Sequence, residues 1–269
     1  MCFDFDARPP ELPAELALPP LAGGAGAELL ELRSADGTAF SAALAESPQG
    51  GDPGVVVLPD VRGLFPFYME LAERFAQAGH PAIAIDYFGR TAGLGPRGED
   101  FEYMPHVQQT TTEQIQADTA AALGALRERT GVRTAVTVGF CFGGRQSLLA
   151  GTSSELGLDG LVSFYGSLGA GRLPHAAPLD HAHEIRCPVL GLYGGADAGI
   201  PVEQVHELES RIAGAGVPHE LVIYPGAPHS FFDRSFEEHA DACADAWRRV
   251  LGFSSRLAGS TPHGPATKR

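Results

Sequence analysis

Apolar residues in this chain gather into short runs, and stretches of helical period lie between them. GVVVLPD (54–60) and HPAIAIDYFGR (80–90) carry continuous apolar stretches, the pattern of strands covered on both faces. TAVTVGF (134–140), GLVSFYG (160–166), PVLGLYGG (188–195) and HELVIYPG (219–226) predict four more strands. FPFYMELAERFAQAG has helical period, with Gly79 as its stop. TTEQIQADTAAALGALRERTG (111–131) predicts a second helix, with a threonine start, an acidic first half, late arginines and a closing glycine. Helices are also predicted at about 142–151, 201–214 and 235–251, and ELLELRSADG with TAFSAALAE predicts strand, turn, strand. Strands alternating with helices predict an α/β fold, a mostly parallel sheet with helices on both faces. Residues 28–251 show neither a repeat nor a shift in composition and are read as one domain. A Pro- and Gly-rich N-terminal extension (1–27) precedes it and a disordered tail (252–269) follows. Segments 91–111 and 167–186 are loop-like and flank strand ends, where a lid would lie.

Composition narrows the partners. A net charge of −14 disfavours nucleic acid and anionic lipid surfaces, and no apolar run is long enough to span a membrane. MCFDFDARPP has acids before its first arginine and no apolar core, so a cytoplasmic address is expected. Four widely spaced cysteines form no CxxC pair. Cys187 and Cys243 read as small buried hydrophobes and Cys2 lies in the terminal extension; Cys141 has a different context.

In a parallel sheet, ligands bind beyond the carboxyl ends of the strands. Strand 134–140 ends in Gly139-Phe140-Cys141-Phe142-Gly143-Gly144, a G-x-nucleophile-x-G pattern between an apolar strand and a helix. Such a turn exposes its central side chain at a helix N-terminus, where N–H groups and the dipole favour a thiolate. A nucleophile needs a base and the base an orienter, which in an α/β-hydrolase fold follow in the order nucleophile, acid, histidine. Asp197, in LYGGADAGIP, and His229, in YPGAPHSFFDR, fall in that order on two later strand ends. Alone, Asp197 would be a turn or cap residue and His229 one of ten histidines; the ordered set of three makes the triad. An oxyanion hole would come from the Phe142 N–H and, from the loop LPDVRGLF, the Val61 N–H.

GVVVLPDVRGLFPFYMELAERFAQAGHPAIAIDYFGR, VGFCFGG, LYGGADAGIP and GAPHSFF together resemble the dienelactone hydrolase family across about residues 28–251. That resemblance implies a cysteine-dependent α/β-hydrolase that opens unsaturated lactones such as carboxymethylenebutenolide, without metal or organic cofactor. It implies Cys141 as nucleophile with Asp197 and His229 as partners. It also implies an acid after the first buried strand that holds the thiol until substrate arrives; here that is Asp60, where the best-studied members have glutamate. Two arginines would grip the substrate carboxylate. Arg90 matches the first, but Asp233 stands at the second position and Arg234 follows it. Either the loop delivers Arg234, or a dienelactone carboxylate is not read.

Cysteine suits such a substrate. An enol lactone has a stabilised enolate as leaving group, so attack by Cys141 would open the ring to a thioester that His229-activated water then hydrolyses. One alternative is a broad esterase or thioesterase using the same triad; another is a non-catalytic binding relative, disfavoured because all three triad positions are filled. A third is a metal site in PHAAPLDHAHEIRC from His175, His181 and His183.

Overall fold

A computed structural model describes residues 7–18, 26–95, 97–171 and 174–260. The apolar runs become the strands of one eight-stranded sheet: β1 (Glu28–Arg33), β2 (Ala39–Ala45), β3 (Gly54–Leu58), β4 (Ala82–Ile85), β5 (Ala135–Phe140), β6 (Gly160–Phe164), β7 (Val189–Gly194) and β8 (His219–Tyr224). Their order is β1-β2-β4-β3-β5-β6-β7-β8, with β1 antiparallel to β2, β2 antiparallel to β4, and all pairs from β4 to β8 parallel. Strands β3 to β7 are buried throughout, which explains why they read as unbroken hydrophobic runs. Alternation sends Val55 and Val57 into one core and Val56 and Leu58 into the other.

Among the described residues, eight α-helices lie between and after the strands: α1 (Pro66–Gln77), α2 (Gly89–Ala92), α3 (Tyr103–Val107), α4 (Thr112–Thr130), α5 (Phe142–Ala150), α6 (Pro178–His181), α7 (Val202–Gly214) and α8 (Ala240–Ser260). α1 and α8 meet through Phe75 and Trp247, whose rings pack edge to face at 5.1 Å. On the opposite face α4 sets Ala122, Leu123 and Leu126 against Val56, Ile83 and Ile85. The predicted ends of α4 have physical counterparts. Thr111 and Gln114 exchange side-chain and backbone hydrogen bonds in a capping box, and Gly131 closes the helix at φ 73°.

Two boundaries differ from those expected. The domain does not stop at 251: α8 continues to Ser260, because Phe253 and Ser254 are buried and Leu257 packs on the core beyond that point. Its start also moves from 235 to 240, with turns before it. Nor is the N-terminal extension wholly separate, since Ala7, Leu12 and Leu16 pack on the core and the Trp247 indole N–H donates to the Pro10 carbonyl at 3.2 Å. The rest of the expected tail, 261–269, lies outside the described residues, as do residues 1–6 and 19–25 of the extension.

Candidate active site

The sheet reverses direction of growth at β3: β4 is laid on one side and β5 on the other. The crevice of a doubly wound sheet opens at such a point. Leu58 pairs with Gly139, so the loop after β3 and the turn after β5 leave the sheet side by side. Cys141 sits on that turn at φ 52° and ψ −109°, a conformation that L-residues avoid, immediately before α5. The turn needs glycine around it. A Cβ on Gly143 would stand 1.9 Å from the Leu58 carbonyl oxygen, and one on Gly139 would stand 2.0 Å from that of Gly143. The first N–H groups of α5, beginning with Phe142, have no acceptor within the helix. Val61 is half-buried in the neighbouring loop.

Asp197 follows β7 and His229 follows β8, on adjacent parallel strands. The two meet through His229 Nδ1 and Asp197 Oδ2 at 2.6 Å. The other Asp197 oxygen accepts the Gly199 N–H at 2.8 Å, which fixes the carboxylate. Burial opposes charge on the imidazole, but hydrogen bonds with Asp197 and Cys141 outweigh it and push His229 up to about 10. His229 is thus held by Asp197 on one side, and Cys141 lies near enough to raise its pKa on the other.

The remaining expected residues are placed differently. Asp60 is fully buried beside the site, and the Arg62 guanidinium holds both of its oxygens, Nη2 to Oδ2 at 2.9 Å and Nε to each at 3.3 Å. The Arg62 N–H also donates to Asp60 Oδ1. The aspartate that was expected to hold the thiol is therefore engaged by an arginine two residues on. Arg90 is held by two aspartates: Nη1 and Nη2 fork onto buried Asp118 at 2.7 and 2.9 Å, and Nε donates to Asp36 at 2.8 Å. Arg234 is exposed, and its N–H donates to the Asp233 carboxylate.

Two site groups escaped the sequence reading. Tyr165, directly after β6 at φ 37°, sets its ring 5.0 Å from the His229 ring. Its hydroxyl donates to Asp233 Oδ2 at 2.8 Å, and both residues are buried. Tyr165 could have been suspected, since it ends a strand on the catalytic edge. Arg62 offered no signal beyond a charge in a glycine-containing loop.

Both loop-like segments beside the strand ends make hydrogen bonds to buried charged groups. Arg97 forks onto buried Asp86. Buried Arg145 reaches the carbonyls of Ser167, Gly169 and His175. The histidines of the rival metal site do not converge. His175 is buried against Gln146 and the Phe142 ring, while His181 bonds Glu184. Among the described residues no three His, Cys, Asp or Glu side chains form a metal-binding group.

Residues 40–257 match the dienelactone hydrolase family. The chain belongs to that family. It is accordingly a hydrolase of the carboxylic-ester type. A relative from Methylorubrum extorquens, provisionally named a carboxymethylenebutenolidase, is 31% identical over 218 residues, 75% of this chain and 72% of its own. One from Escherichia coli K12 with the same provisional name is 30% identical over 216 residues, 77% and 78%. A crystal structure from Klebsiella pneumoniae, provisionally described as a dienelactone hydrolase, superposes with a TM-score of 0.73 at 26% identity, covering 85% of this chain and 99% of that one. The α/β-hydrolase fold is shared throughout. Within this dienelactone hydrolase family member, Arg90 is engaged by Asp118 and an acid stands at position 233.

Proposed function

We propose that this protein hydrolyses activated carboxylic esters, unsaturated lactones of the dienelactone type among them, through a thioester on Cys141. The observation that carries this reading is the strained Cys141 turn beside a His229 imidazole that Asp197 holds at 2.6 Å. In the first half-reaction Cys141 Sγ forms a bond to the carbonyl carbon while the N–H groups of Phe142 and Val61 receive the oxyanion. The ester C–O bond then breaks, and the imidazolium of His229 gives its proton to the departing enolate or alkoxide. In the second, His229 takes a proton from water, hydroxide adds to the thioester, and the thiolate leaves with the acid as product. Asp197 holds the imidazole by Nδ1 in both. A thiolate competes poorly with an amine as the group retained on carbon, which turns the site towards esters with stabilised leaving groups.

A second reading concerns charge. Arg90 is already bound by two aspartates, so its guanidinium is engaged before any substrate carboxylate arrives. That favours uncharged esters or lactones over carboxylated ones. The test compares hydrolysis of a carboxylated dienelactone and of p-nitrophenyl acetate by wild type and Cys141→Ala. The expected result is loss of both activities in the variant, on the order of a thousandfold or more. Faster opening of the lactone would assign the dienelactone reaction, and cleavage of the neutral ester alone would assign the second reading. Activity that survives Cys141→Ala would refute the thioester.

A further inference from the structure

We propose that the Tyr87 hydroxyl is a positioning group for the oxyanion hole, fixing the turn that carries the Val61 N–H against the nucleophile elbow. The inference deepens the proposed function and rests on a thioester forming at Cys141.

Strand β4 runs parallel to β3, so Tyr87, two residues past the end of β4, stands beside the loop that leaves β3. Tyr87 is completely buried, and its hydroxyl donates to the Pro59 carbonyl at 2.8 Å. The same carbonyl lies against the elbow, where a Cβ on Gly143 would stand 2.3 Å from its oxygen. From Pro59 the chain turns at once. The Gly63 N–H returns to the Asp60 carbonyl at 3.2 Å, which makes Val61 the second residue of a four-residue turn. An N–H at that place lies outside the turn's own hydrogen bond.

Each part of this loop has its own hold. Within the turn, the Arg62 N–H donates to Asp60 Oδ1 at 2.9 Å. At the far end, the Leu64 N–H donates to Asp86 Oδ1 at 3.2 Å. At the near end, the peptide that joins Pro59 to Asp60 is held by Tyr87. A peptide moves as a rigid plane about the single bonds on either side of it. Releasing its carbonyl therefore lets the turn swing, and the Val61 N–H swings with it. The Tyr87 ring bears on the other donor, meeting the Phe142 ring edge to face at 5.5 Å. One rigid side chain thus sets the Val61 arm relative to the Phe142 arm. Burial, with Asp60, Asp86 and Cys141 nearby, holds the hydroxyl well above its ordinary range, so it stays a donor at neutral and mildly alkaline pH.

Two reactions at one sulfur test this. Acylation of Cys141 by p-nitrophenyl acetate passes through an oxyanion and is read as the p-nitrophenolate burst. Alkylation by iodoacetamide displaces iodide at a saturated carbon and develops no oxyanion; it is read by mass spectrometry of the Cys141 peptide. Tyr87→Phe removes the hydroxyl and keeps the ring on Phe142. Its acylation rate should fall about tenfold to a hundredfold, less than the full loss of a donor, which costs about a hundredfold to a thousandfold. Its alkylation rate should stay within about twofold of wild type, because the thiolate and the elbow are untouched. Val61→Pro deletes the donor itself in a turn position that suits proline, and should slow acylation at least as much. Adding Tyr87→Phe to Val61→Pro should then change little, since the hydroxyl acts through that N–H. Wild-type acylation in Tyr87→Phe, acylation and alkylation that fall together, or effects of the two substitutions that multiply would each overturn the proposal. Wild type that gives no acylated Cys141 overturns the thioester itself, an outcome seen before any Tyr87 variant is compared.

Discussion

At His229 hydrogen bonding has to overcome burial, and the balance has a sign that can be measured. An imidazole raised from 6.5 to about 10 is held as a cation more firmly in the folded protein than in the unfolded chain. Its contribution to stability is complete below pH 6.5 and is lost as the pH climbs through about 10. The difference in Tm between wild type and His229→Gln should therefore be largest near pH 6 and shrink steadily towards pH 10; a difference that grows with pH contradicts the assignment of cause. Asp197 acts on the same ring. Asp197→Asn keeps the size of the side chain but turns an acceptor into an amide that can present the wrong partner to Nδ1. We expect kcat to fall on the order of a thousandfold to ten-thousandfold, with KM little changed. Steady-state kinetics on p-nitrophenyl acetate would show it. Asp197 and His229 could be picked from the sequence because catalytic order and strand-end position constrain them jointly. Arg62 could not, since nothing in LPDVRGLF says that the arginine folds back two residues onto Asp60.

At the scale of elements, the turn from β5 to α5 is the most constrained part of the chain. Gly143 passes against the backbone of the loop after β3, with no flexible side chain there to give way. Gly143→Ala should cost about 2–4 kcal/mol in chemical denaturation and abolish hydrolysis, because relief requires β3 and α5 to part and Cys141 moves with α5. A fully active, equally stable variant would show that the close approach does not matter. The same physics made this region legible: a run of β-branched residues closed by glycines is a local pattern that records its own geometry. The end of α8 was less so. Phe253, Ser254 and Leu257 continue the helix's buried face, but Ser-Ser followed by glycine, serine, threonine and proline reads as a tail when packing is not in view.

For the molecule as a whole, Arg90 shows how a residue singled out by resemblance acquires partners that no motif records. It matches the family's substrate arginine in position, yet its three guanidinium nitrogens reach Asp36 in the β1–β2 turn and Asp118 in α4, residues 54 and 28 positions away. Neither partner is visible from a local motif, which is why its use was not foreseeable. The arrangement ties the antiparallel edge of the sheet to the helix covering it, at a site where Asp118 is completely buried. Removing the guanidinium leaves that carboxyl without its charge partner, and breaking one side of a buried pair costs about 3–5 kcal/mol. Arg90→Leu should therefore lower stability by that order in denaturant titration. Asp118→Asn in the same background should recover part of it, since the stranded charge is then gone. Kinetics separate this from substrate binding. If Arg90 is structural, the ratio of kcat/KM for carboxylated and neutral esters stays as in wild type in every variant that remains folded. If Arg90 grips a substrate carboxylate, stability changes little while KM for the carboxylated ester rises alone, and the preference for uncharged acyl groups would have to be abandoned.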